Sequence, residues 1–184
     1  LWFIASEVPP SLAQYCRERE SDHYYTLELQ EFAVRKQLRR LVEKASRTLT
    51  VERGRAVSNT HQELIAEFLE REAPGPRIET LFLRMADYVA RASSAVVLSA
   101  VDREGRLTAF YVVELAAKGF ATYVVGCHSK ARYALGASDL LFLEMTNLAR
   151  ESGKAYIHLG LGVNEGIRRF KEKWGGVPFL RYEF

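Results

Sequence analysis

The apolar positions of this chain change period several times, and each change marks an element. A short apolar run over residues 2–5 predicts a strand, and Pro9-Pro10 leads into a helix that ends near Glu20. Mixed alternation over residues 24–29 predicts a second strand. Val34, Leu38, Leu41, Val42 and Ala45 then recur at helical spacing with basic residues on the other face, which predicts an amphipathic helix stopping near Arg47. Residues 48–53 alternate as a strand and end at Gly54. Asn59 or Thr60 caps a helix to about Glu72 that turns Leu64, Ile65, Phe68 and Leu69 inward, and Pro74-Gly75-Pro76 breaks it. A further helix carries Ile78, Leu81, Phe82, Met85 and Val89. Three strands follow at 95–102, 107–115 and 120–127, turning at Asp102-Arg103-Glu104-Gly105 and at Lys118-Gly119. Ser138 or Asp139 starts a helix that runs to Ser152 and closes on Gly153. Its polar stripe is narrow (Glu144, Asn147, Glu151), so it is largely buried. Residues 156–161 form a strand, 164–174 the last helix and 177–184 a closing strand.

The unit from residue 120 to 161 is strand, helix, strand, and a crossover of that length makes its two strands parallel. The expectation is an α/β fold with a mixed central sheet and helices on both faces. Residues 48–184 form the domain; residues 1–47 are an extension, or the tail of a preceding unit with a connecting basic helix.

Composition narrows the class. With 48% hydrophobic and 27% charged residues in 184, the chain suits one globular domain. No apolar run reaches the roughly 18 residues that cross a bilayer. The opening lacks both a basic segment and a Met, which points to a fragment of a longer protein without a signal peptide. Cys16 and Cys127 form no metal-spaced pair; we expect no metal site and a reducing, cytoplasmic setting. The net charge is only +3, but Arg35, Lys36, Arg39, Arg40, Lys44, Arg47, Arg53 and Arg55 crowd one stretch, and Arg168, Arg169, Lys171 and Lys173 another. Such clusters suit phosphate-bearing ligands as well as solvated helix faces.

Two segments carry candidate chemistry. The loop from His128 to Ser138 opens the buried helix, where unpaired backbone N–H groups and the helix dipole favour a phosphate, with Lys130 and Arg132 at the rim. The second segment is Asn164 to Gly176. Ile167, Phe170 and Trp174 lie on one helix face that docks on the sheet; Lys171 flanks that stripe.

The element order and these motifs resemble the GNAT acyltransferase superfamily. Gly136-Ala137-Ser138 is similar to its Gly-x-Gly or Gly-x-Ala step for coenzyme A, with Tyr133 where the family's Arg or Gln sits. Phe170-Lys171-x-x-Trp174-Gly175-Gly176 resembles the Phe-Lys-x-x-Phe-Gly-Gly sequence of the Fem-like branch, whose members carry two GNAT-like units in tandem. The resemblance implies a GNAT-like sheet, with residues 1–47 as the tail of a preceding GNAT-like unit. It also implies an acyl-CoA (acetyl-CoA) donor held by Val125, Cys127, Arg132, Tyr133, Gly136, Ala137, Ser138 and Asn164. The amides around Gly136 should then sit beside a gap between neighbouring parallel strands.

Acyl transfer to an amine needs a proton acceptor and an acid for the leaving group. The strand at 120–127 has no carboxylate where many GNAT members keep a Glu. The candidates are Lys171 as a substrate-positioning charge, His128 at the strand end and Glu114 at the end of the middle hairpin strand. His158 reads as a core histidine and Cys127 as a packing residue. The function expected is N-acyl transfer from acyl-CoA to a small amine or amino-acid-like acceptor; the alternatives are Fem-like transfer from aminoacyl-tRNA to a cell-wall precursor, which the basic helix would favour, and a non-catalytic binding module of the same shape.

Overall fold

The computed structural model describes residues 3–4, 10–13, 15 and 21–183. Eight strands form one sheet: β1 (Phe3–Ile4), β2 (Ser21–Glu28), β3 (Leu49–Gly54), β4 (Ala95–Asp102), β5 (Leu107–Glu114), β6 (Phe120–His128), β7 (Tyr156–Leu161) and β8 (Val177–Glu183). Their order is β1-β8-β2-β7-β6-β5-β4-β3, antiparallel throughout except for the parallel pair β6–β7. The predicted crossover is therefore present, made by α6 (Ala137–Glu151). The other helices are α1 (Pro10–Ala13), α2 (Lys36–Ala45), α3 (Asn59–Glu72), α4 (Pro76–Leu83), α5 (Met85–Arg91) and α7 (Glu165–Lys173).

Both faces of the sheet are covered, because its central strands β4 and β5 carry apolar residues towards both faces and so cannot leave one wet. Val97 of β4 and Phe110 and Val112 of β5 point to α3–α5, where Leu64, Ile65, Phe82, Met85 and Val89 meet them. Leu98, Ala100, Tyr111 and Val113 point the other way, against α2, α6 and α7, which contribute Leu38, Val42, Leu141, Met145 and Trp174. Alternate residues of one strand thus serve two cores.

Residues before Thr48 share this sheet. β2 is hydrogen-bonded to β7 on one side and β8 on the other, and Tyr25, Leu27, Leu38 and Val42 lie in the core. Two boundaries differ from the sequence reading. The helix carrying Ile78 to Val89 is two helices, broken at Arg84 (φ −89°, ψ 2°). α3 is capped by Ser58, whose hydroxyl and amide both meet His61 Nδ1. The first predicted helix is described only as α1; residues 14 and 16–20, with Cys16, lie outside the described residues, as do Trp2 and Ala5 of the first predicted strand.

Candidate active site

The parallel ladder between β6 and β7 is short. It joins Phe120 to Tyr156, Ala121 to Ile157 and Thr122 to His158, and then stops. β6 nevertheless continues along β5 to His128, and β7 continues along β2 to Leu161. Each strand carries an extra residue just past the last shared pair. On β6, Val125 opposes Val112 and Tyr123 opposes Val113, so Val124 is the unpaired one; on β7, Gly160 opposes Tyr25 and His158 opposes Thr26, so Leu159 is. A bulge bends its strand and sharpens its twist, so two bulges at one level drive the strands apart. The expected gap between parallel strands is present.

On the α6–α7 side, Lys171 lies at the end of β7. It is only 5% exposed. Its ammonium donates to the carbonyl of Leu161, at the end of β7, and lies 5.6 Å from the centre of the Tyr25 ring. Burial lowers its pKa to about 8, partly opposed by the attraction of Asp22. Lys171 is held there by the rest of its motif. Phe170 and Trp174 both pack on Phe142 of α6, and Trp174 Nε1 donates to Asp139 at 2.8 Å. Lys173 pairs with the same carboxylate. The helix ends in a Schellman turn: Gly175 N–H reaches Glu172 O, Gly176 N–H reaches Lys171 O, and Gly175 sits at φ +89°. A Cβ on Gly176 would lie 2.9 Å from Leu159 Cδ1 and 3.0 Å from Lys171 O, so only glycine fits. Ile167, expected to dock with Phe170 and Trp174, is instead 37% exposed.

On the opposite side, Glu114, Thr122, His158 and Thr26 form one row across β5, β6, β7 and β2. His158, expected in the core, is half-buried on this face beside Tyr24, with ring centres 5.0 Å apart. Burial lowers its pKa, and the charge of Lys171 lowers it further. The hydroxyl of Thr26 is buried without a hydrogen-bond partner. Glu114 lies in the same row, but its carboxylate accepts from Tyr88 Oη and from the amides of Leu115 and Ala116. Burial pushes its pKa up, but a side-chain bond with Ser94 and these bonds together pull it below the usual value.

The loop before α6 is organised by a residue the sequence reading did not single out. Glu67 of α3 accepts from Ser129 Oγ (2.7 Å) and from the amides of Lys130 (2.6 Å) and Ala131 (3.4 Å), and pairs with Arg71. Burial would raise its pKa, but the four partners together lower it. Gly136 takes φ +81° as the N-cap of α6, and a Cβ there would lie 3.0 Å from Ala45 of α2. Ala137 N–H is bonded back to Ala134, whereas no partner for the amides of Ser138 and Asp139 is found among the described residues. Ser138 O accepts from Tyr111 Oη. Arg132 and Tyr133 are exposed.

The remaining candidates separate. Val125 and Cys127 point into the core under α3, so only their backbone is available to a ligand; burial pushes the Cys127 thiol up to about 12. Asn164 caps α7, its side chain accepting from Ile167 N. His128 pairs with Ala109 six residues beyond Thr122, about 20 Å along the strand. Partial burial of its ring lowers its pKa most, and Arg71 and Lys130 lower it further. The structure thus gathers Lys171, His158 and Thr122 at the gap, and leaves His128 with the Arg71–Lys130 group. Glu67 and Asp22 were missed because their contacts are with segments distant in sequence. Gly160, a glycine inside a strand pattern, was the visible sign of the β7 bulge. No group of three His, Cys, Asp or Glu side chains able to hold a metal, and no helix able to cross a membrane, is found among the described residues.

Comparison with known proteins agrees with this geometry. The C-terminal domain of a protein named as a lysylphosphatidylglycerol synthetase from Agrobacterium fabrum superposes with a TM-score of 0.68 at 19% identity, covering 95% of this chain and 64% of that one. FemX gives 0.66 at 14% identity, covering 87% and 60%. A tandem GNAT protein from the clavulanic acid biosynthesis pathway gives 0.57 at 14%, covering 98% and 53%. The chain thus spans less than two thirds of each of these structures, and at such identities the likeness is one of fold. A search of curated proteins found no match. The family model described as Acetyltransferase (GNAT) domain matches residues 30–172, most of the chain. This protein belongs to the GNAT acetyltransferase domain family.

Proposed function

We propose that this acyltransferase unit takes its acyl group from an aminoacyl-tRNA and passes it to an amine acceptor, such as that of a cell-wall precursor. The observation that carries this reading is the carboxylate of Glu67 on the amides of Lys130 and Ala131. A coenzyme A diphosphate in this loop would approach a fixed negative charge, whereas the 3′-terminal ester of a tRNA brings no diphosphate to it. Two further features support the reading. α2 runs against the start of α6 with Lys36, Arg39, Arg40 and Lys44 exposed, which suits an RNA backbone. The FemX and lysylphosphatidylglycerol synthetase folds are similar over nearly the whole chain.

In this scheme the ester enters the gap past Thr122 and His158. The amine attacks its carbonyl, the C–N bond forms, and the C–O bond to the ribose breaks, the ribose oxygen leaving with a proton. Lys171 has donor capacity beyond its bond to Leu161, and in this dry setting it holds the negative charge that develops on the carbonyl oxygen or a carboxylate of the acceptor. It sits at the site without a strand carboxylate, so solvent or the amine's own equilibrium supplies the proton acceptor.

The amides of Ser138 and Asp139 favour a second reading, an acyl-CoA donor on the start of α6. Transfer of a radiolabelled amino acid from charged tRNA to an amine, falling steeply with added salt, is the expected result, with no change in melting temperature on adding acetyl-CoA. Stabilisation that grows with acetyl-CoA concentration, together with no transfer from charged tRNA, would replace the first reading by the second.

A further inference from the structure

The strand inserted between β7 and β8 does more than complete the sheet. Asp22, at its start, has a side chain only 15% exposed. One oxygen accepts from the amide of His23, and the other from the amide of Val163 at 2.6 Å. Val163 is one of two non-glycine residues with positive φ (59°) among the described residues, unusual for a β-branched side chain. Asn164 N–H reaches back to Gly162 O at 2.7 Å, so Val163 is the centre of a three-residue turn of the strained, positive-φ kind. Strain of this type persists only where the surroundings impose it. Here the bond from Asp22 imposes it, and Gly162 is pressed so close that a Cβ would lie 2.5 Å from Asp22 Oδ1. The residue that enters this turn is Leu161, whose carbonyl holds the Lys171 ammonium.

We propose that Asp22 is a positioning residue for Lys171: it fixes the turn that carries the ammonium's acceptor, and its negative charge is anchored two residues along the chain from that acceptor. The inference rests on the transferase reading above for its catalytic consequence, but its physical content does not. Removing the charge leaves Lys171 over the ring of Tyr25 of β2, with His158 of β7 within reach of its charge, both without charge at neutral pH. Arg168 of α7 lies 3.8 Å from Asp22. Glu172 of α7 is bonded to Tyr25 Oη, and Asp139 of α6 is taken by Lys173 and Trp174. The strand that precedes the matched domain is therefore a wall of its active site, not an appendage.

Two variants separate the two roles. In Asp22→Asn the side-chain oxygen can still accept from Val163 while the charge is gone; in Asp22→Ala both are lost. Protein labelled with 13C at the lysine ε-carbon reports the titration of Lys171 without any activity. The expected result is a midpoint displaced to lower pH in Asp22→Asn, with the Val163 amide resonance unmoved. In Asp22→Ala the midpoint is lower again and the Val163 resonance moves. In the transfer assay the high-pH limb of kcat shifts with the midpoint, and Asp22→Ala loses about tenfold in kcat at pH 7 with a smaller change in KM. Circular dichroism and melting curves establish that both variants are folded. A Lys171 midpoint identical in all three proteins overturns the proposal, even where wild-type transfer is robust. Displaced midpoints in a protein that transfers nothing uphold it and sink only the transferase reading.

Discussion

The two halves of the sheet differ in kind. In β4 and β5 nearly every residue is buried whichever face it points to, and Leu98, Phe110 and Val112 are completely buried. From β6 across β7 to β2 the pairing is interrupted by bulges, glycines take positive φ, a lysine is buried and a threonine hydroxyl lacks a partner. The first half contributes stability through area removed from water. The second gives up regularity, and what it gains is an end to the β6–β7 pairing and an ammonium buried beside the end of β7. The same polypeptide thus separates scaffold from chemistry along one sheet, and the border is the last β6–β7 pair, Thr122 and His158.

Substitutions on either side of that border should behave differently. The largest expected effect on stability lies in the scaffold: Phe110→Ala removes a buried ring and should cost about 3–5 kcal/mol in urea unfolding, with any residual folded protein keeping its KM. Lys171→Met should do the reverse. It should lower kcat by about 100-fold or more, yet leave stability at pH 7 unchanged or raised, because a buried charge with a single strong acceptor is replaced by an apolar chain of similar length. The pH dependence of that difference has a definite sign. The Lys171 pKa is depressed in the folded state, from 10.5 to about 8, so the penalty is full below pH 8 and relieved as pH rises towards 10.5. Wild type should therefore gain about 3 kcal/mol relative to Lys171→Met across that window; parallel stability curves would show that the lysine is not desolvated. Glu67→Ala should cost about 1–3 kcal/mol by freeing the amides of Lys130 and Ala131, and should raise the KM for the donor more than it lowers kcat. Smallest of all, Glu165→Ala breaks only an exposed pair with Arg169 and should fall within about 0.5 kcal/mol of wild type in the same unfolding assay.

Sequence pattern reached the scaffold more easily than the site, for a physical reason. Periodicity is a local signal, so Leu64 and Ile65 announced the buried side of α3, and the mostly apolar runs at 95–102 and 107–114 announced central strands. The Phe-Lys-x-x-Trp-Gly-Gly motif could be placed because its constraints are also local: a helix stripe followed by a glycine turn. Even there, Ile167 was assigned to the sheet and is exposed, since only the partner surface decides how far a stripe extends. The break at Arg84 carries no Pro or Gly to mark it. Site residues such as Asp22 and Glu67 act on segments 141 and 62 to 64 residues away, and nothing in their neighbourhood advertises it. Polar residues at a strand start or on a helix surface look alike whether they face water or a distant turn.

β2 sits between β7 and β8 and pairs with both, although it comes from the far end of the chain. A chain shortened to begin at Thr48 would open two unsatisfied edges facing one slot. Such a slot is a receptor for its own missing piece: a synthetic peptide of residues 21–47, which also returns Leu38 and Val42 of α2 to the core, should dock there by donor-strand complementation and restore a cooperative melt. Without it, the slot would recruit the same strand from any intact copy at hand, making domain-swapped oligomers the characteristic failure of this fold.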